Sequence, residues 1–164
     1  MNDTAMPGQA WVRFDLVATV VFCAVIAIGV PLADHRPMQI VVGVVSMTLF
    51  AIGAAGGLWA YIAALERSRT LEIGVANLFL LTGRTAPVRV KRLMSVLLGL
   101  QVLVAFAGAI IGASGLGKNQ VNALAFGILV PMFGIGLNGI WAVRHGAFGP
   151  RLDRTVQPSN RSID

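Results

Sequence analysis

Four long apolar runs, with charge only between them, decide what this chain can fold into. They cover residues 16–33, 38–65, 93–113 and 121–143, and none contains an Asp, Glu, Lys, Arg or His. About 20 consecutive apolar residues are what a helix needs to cross the ~30 Å hydrocarbon core of a bilayer. The composition agrees. Hydrophobic residues make up 56% and charged residues 12% of the chain, against about 25% charged in ordinary soluble domains. Mean hydropathy is +0.77. These features predict an all-α fold, an integral membrane four-helix bundle, and 164 residues suit one bundle rather than two domains.

The connections fix how the spans follow one another. Residues 1–15 read as a short N-terminal tail. The first run is short for a span, so a cleaved signal peptide is its rival reading. Only Arg13 supplies charge ahead of it and no small-residue cleavage site follows, which favours an uncleaved anchor. Asp34-His35-Arg36-Pro37 is too short to join anything but antiparallel neighbours. The second run would reach ~42 Å as a helix, so it tilts or emerges from the membrane. Trp59 and Tyr61 near its end suit the headgroup region. Ser114–Gln120 is a glycine-marked turn. Residues 144–164, with Gly146, Gly149, Pro150 and Pro158 and no apolar periodicity, predict a disordered tail.

Between the second and third runs lies ERSRTLEIGVANLFLLTGRTAPVRVKR, residues 66–92, which holds six of the thirteen basic residues. Arg13, these six, Arg144, Arg151, Arg154 and Arg161 fall on one side of a four-span topology, against Arg36 and Lys118 on the other. Eleven against two places both termini in the cytoplasm of a multi-pass protein of the bacterial inner membrane. The net charge of +6 therefore speaks for lipid rather than nucleic acid, because the aromatic interleaving of a base-stacking surface is missing. Arg84, Arg89, Lys91 and Arg92 are the candidate clamp on anionic lipid. Within the loop, Thr70 can cap a helix, Gly83 can end it, and Leu71, Val75, Leu78 and Phe79 share one face. That central cytoplasmic amphipathic helix either lies in the headgroup plane or packs beneath the bundle.

The residues exclude several chemistries. Cys23 stands alone, so there is no intrachain disulfide and no multi-cysteine metal site. His35 and His145 fall at opposite membrane faces and cannot share a metal or haem. No catalytic, cofactor-binding or metal-ligating constellation emerges. Asp15 reads as a solvated carboxylate bordering the first span. The polar side chains expected to be buried within the spans are Thr19, Ser46, Thr48, Gln101 and Asn138. Gln101 and Asn138 carry the most hydrogen-bonding capacity and are expected to bond each other or a partner. Gly53 with Gly57, and Gly108 with Gly112, give two Gly-x-x-x-Gly spacings that let helix backbones approach closely.

Two resemblances bear on function. Glu66-Arg67 followed by Asn77 loosely resembles the loop of four-helix glutathione-dependent membrane enzymes, but at a longer spacing and after the second span, so no active-site residue carries over. ALERSRTLEIGVANLFLLTGRTAP with the WAVRHGAFGPR ending resembles small four-span integral membrane proteins of actinobacteria. That resemblance implies an inner-membrane protein and no particular activity. The function expected is non-enzymatic: an accessory or assembly subunit of a larger envelope complex, with a membrane-protein partner or a homo-oligomer. A small oligomeric transporter or channel is the alternative.

Overall fold

The structure, a computed structural model, describes residues 8–114 and 122–150. Its helices are α1 (Gln9–Gly29), α2 (Arg36–Arg67), the short α3 (Val75–Phe79), α4 (Val88–Ser114) and α5 (Pro131–His145). A 3₁₀ segment, Ala123–Leu129, leads into α5. Two-residue strands, β1 (Leu71–Glu72) and β2 (Gly149–Pro150), pair antiparallel. Four helical stretches are long and apolar enough to cross a membrane: α1, α2, α4 and the 3₁₀ segment with α5.

The two hairpins pack with like helices side by side. Along α1 and α4, the pair Thr19–Gln101 is followed by Ile26 against Gly108, so both helices run the same way. Along α2 and α5, Gly53 lies on Phe133 and Gly136, Ala60 on Gly139, and Arg67 bonds the Val143 carbonyl, again in the same direction. Each long helix therefore has a parallel neighbour as well as at least one antiparallel one. The α2–α5 seam is close because glycine lines both sides. A Cβ on Gly53 would fall 2.3 Å from the Phe133 Cα, which is inside any permitted contact.

Large side chains fill the space between the helices. Phe22, Phe133, Leu137 and Trp141 are fully buried along it. Of α1, Val12, Asp15, Thr19, Phe22, Ile26 and Gly29 face inward at intervals of three and four. On α4 the inward stripe is Val90, Met94, Leu97, Gln101, Ala105, Gly108 and Gly112. The other faces of α2 and α4 are apolar and exposed, among them Val44, Leu58, Leu103 and Ile110.

Several expectations change. Residues 9–15 are not tail but the first two turns of α1, because the inward stripe continues through them. The second and third helices are longer than their apolar runs, and α2 would measure ~48 Å. The last span is not one α-helix. Pro131 lacks an N–H and fits only the first turn of a helix, so α5 restarts there after the 3₁₀ stretch. Because a 3₁₀ segment rises ~2 Å per residue, the two pieces together still reach ~36 Å.

The loop also differs from the helix expected over 70–82. The chain is extended at Leu71–Glu72, and α3 spans only five residues. Thr70 does not cap it; its hydroxyl bonds the Arg67 carbonyl behind it. Leu78 and Leu81 are buried and Val75 is 67% exposed, so the segment packs beneath the bundle through one edge. Leu81 turns back with a left-handed backbone, φ 52°. The start of the expected C-terminal tail is ordered as well. Arg144 and His145 complete α5, Ala147 N–H bonds the Thr85 carbonyl at 3.0 Å, and Gly149–Pro150 pairs with Leu71–Glu72. Residues 151–164 and the turn at 115–121 lie outside the described residues.

Candidate functional site: a polar cluster inside the bundle

α1 and α4 bring three polar side chains together where the apolar stripe should continue. Gln101 Nε2 donates to Asp15 Oδ1 at 3.1 Å and to Thr19 Oγ1 at 2.7 Å. Asp15 and Thr19 are one helical turn apart, so both reach the same amide across the seam. Asp15 and Gln101 are fully buried and Thr19 nearly so. The amide carries both of its donor bonds, yet Asp15 Oδ2 and Gln101 Oε1 have no hydrogen-bond partner. Gln101 stands over Gly134, where a Cβ would lie 2.7 Å from Oε1. A residue with a side chain at 134 would force this amide out of place.

This placement corrects the reading of Asp15. It is not a solvated carboxylate at a helix start but the seventh residue of α1, buried against α4. An ionisable group inside an apolar bundle is a functional suspect by default, since it costs several kcal/mol unless compensated. The sequence carried a signal for it. Asp15 lies four before Thr19 and seven before Phe22, on the stripe that those residues define.

Gln101 and Asn138 do not bond each other. Asn138, on α5, donates from Nδ2 to the Phe79 carbonyl at 2.9 Å and so ties α3 to the bundle, leaving its Oδ1 without a partner. Ser46 is buried on α2 with its hydroxyl unpartnered. Thr48 faces outward. Gly53 and Gly57 face α5, Gly108 faces Ile26, and Gly112 faces Leu124 and Asn122.

At the loop end, Arg84, Arg89 and Arg92 are exposed and Lys91 is half-buried. Arg89 and Arg92 border an open groove of ≈ 310 Å³ floored by Val88, Leu93 and Val96. Arg84 and Lys91 do not line it. A different cation is held at the same end. The Arg144 guanidinium carbon lies 5.4 Å from the centre of the Trp11 ring and 5.2 Å from that of Trp59. This bridges α1, α2 and α5 with one side chain. Sequence reading misses it because it assigns Arg144 to a disordered tail and Trp59 to the headgroup region.

His35, ahead of α2, and His145, ending α5, are at opposite ends of the bundle. Among the described residues, no group of three or more His, Cys, Asp or Glu side chains is placed to hold a metal ion. The chain matches no family model, and it is similar to no curated protein and no solved structure.

Proposed function

We propose that the chain is a non-enzymatic, multi-pass inner-membrane protein that works as an accessory or assembly subunit of a larger envelope complex, with both termini in the cytoplasm. The observation that carries this reading is the filled interior. Phe22, Phe133, Leu137 and Trp141 occupy the space between the helices, so one chain offers its outer surface, not its axis, for work. The exposed apolar faces of α2 and α4 are available to lipid or to a partner helix. Arg84, Arg89, Lys91 and Arg92 face the anionic leaflet in this orientation, where Lys and Arg gain ~1 kcal/mol each. The test is the native mass of the complex after extraction into lipid particles without detergent. A defined assembly larger than one chain is expected. A free monomer with lipid alone would refute the reading.

A small oligomeric transporter is the second reading, and the buried Asp15 carboxyl favours it. Four filled helices enclose no pathway, so symmetry would have to build one between chains. Reconstituted vesicles decide the point. Flux above empty vesicles that disappears in Asp15→Asn supports transport, and flux equal to empty vesicles removes it.

A further inference from the structure

A buried carboxyl must find its compensation within reach. Asp15 finds little. Its Oδ1 takes one bond from the Gln101 amide, and its Oδ2 takes none. The side chains shown to bond within the cluster are Gln101 and Thr19, neither of which carries charge. The charged groups nearest along each packed helix all stand toward the loop end. These are exposed Arg13 on α1, Arg92 on α4, Glu66 and Arg67 on α2, and Arg144 with His145 on α5. Among them, Arg144 is held over Trp11, one turn before Asp15.

The geometry of the orphan atoms is specific. Oδ2 shares a carbon with Oδ1, and Oε1 shares a carbon with Nε2. Since Oδ1 and Nε2 are in contact at 3.1 Å, the two unpartnered acceptors flank a single hydrogen bond. Both are buried, and neither has a donor among the described residues. A carboxyl O–H is a donor as well as an acceptor, so one proton added at Oδ2 removes the charge from a buried oxygen that no donor compensates. The Thr19 hydroxyl then completes the set, because its oxygen holds the other arm of the same amide at 2.7 Å.

We infer that Asp15, Thr19 and Gln101 form an intramembrane proton-exchange site, in which Asp15 Oδ2 takes up and releases one proton while Gln101 and Thr19 position the carboxyl. The proton comes from and returns to water, and no other bond is made or broken. The site stands whether the chain acts as a subunit or as a carrier. As a subunit it would make assembly respond to pH. As a carrier it would supply the coupling ion.

Difference infrared spectroscopy of the full chain in neutral-lipid vesicles tests this directly, while bulk pH is cycled. The expected result is a protonated-carboxyl C=O band that appears and disappears reversibly with pH, is lost in Asp15→Asn, and shifts in frequency in Thr19→Val. Circular dichroism confirms that each variant is folded. Asn keeps an oxygen for the Gln101 amide, so Asp15→Asn is expected to fold. Should it not, the Thr19→Val spectrum decides, and an unshifted band would overturn the site. The inference also fails if wild-type and Asp15→Asn spectra superimpose, if the band is constant across the pH range, or if it follows sodium at fixed pH.

Discussion

Gly53 and Gly136 meet backbone to backbone across the α2–α5 seam. A Cβ on Gly136 would lie 2.1 Å from the Gly53 carbonyl oxygen. Backbone cannot move aside as a flexible side chain can, so Gly136→Val is expected to destabilise the fold by about 3 kcal/mol or more, at the upper end of overpacking costs. Gly99 has open space around it. There Gly99→Ala is expected to change stability by less than about 1 kcal/mol. Thermal unfolding of both variants in the same detergent checks the contrast. Equal melting temperatures would show that the seam is looser than described.

Arg144 provides a second test. Its guanidinium lies over both Trp11 and Trp59, and each such contact is worth about 0.5–1 kcal/mol at an exposed site. Arg144→Met keeps the stem and removes the charge. It is expected to cost up to about 2 kcal/mol. In double-mutant cycles with Trp11→Leu and Trp59→Leu, each pair should show coupling of the same sign. Absence of coupling to either tryptophan would dismiss the bridge.

Asn138 holds the loop through the Phe79 carbonyl. Hydrogen bonds of this kind in membrane proteins are worth ~0.6–2 kcal/mol. Asn138→Ala should therefore leave the long helices intact while amide exchange quickens over residues 75–85. Unchanged exchange in that segment would mean that Leu78 and Leu81 hold it by packing alone.

The basic residues near α4 divide by position. Only Arg89 and Arg92 border the groove floored by Val88, Leu93 and Val96. Arg89→Gln with Arg92→Gln is expected to lower retention of anionic lipid during purification by tenfold or more, at ~1 kcal/mol per charge. Arg84→Gln should have a smaller effect. Lipid counted by native mass spectrometry reads the difference, and equal loss from Arg84→Gln would return the clamp to all four residues.

Orientation is open to labelling. In a Cys23→Ser background, a cysteine replacing Arg84 should react with an impermeant thiol reagent only after the membrane is broken, and one replacing His35 should react in intact cells. The opposite pattern would invert the topology.

How much of this was legible in the sequence depended on range. The four apolar runs and the glycine spacing at Gly53 and Gly57 are local patterns, and each is readable from neighbouring residues. Their counterpart, Gly136, is not, because nothing in either helix alone states which other helix it will meet. Asp15 was misplaced for a different reason. Hydropathy marks where apolar residues begin, but α1 begins at Gln9 and its inward stripe at Val12, both ahead of the apolar run. The loop failed on punctuation. Leu71, Val75, Leu78 and Phe79 fit a helical period, but Gly74 ends the extended stretch and starts a new one, and Leu81 reverses direction without a glycine. Arg144 between two tryptophans joins three helices, which no single stretch of sequence could disclose.

The parallel pairing of α2 with α5 has a consequence for how the protein is made. The closest seam joins residues separated by half the chain, so its second half emerges from the ribosome well after its first. In a chain inserted as proposed, the first hairpin would wait during synthesis with the Gly53 face of α2 uncovered, and α4 would wait with Gln101 beside an unfilled space at Gly134. A nascent chain halted before α5 would hold exposed backbone in lipid. Such a fragment would be a ready substrate for membrane proteases and for insertion chaperones that shield half-built helices, whereas fifteen more residues close it.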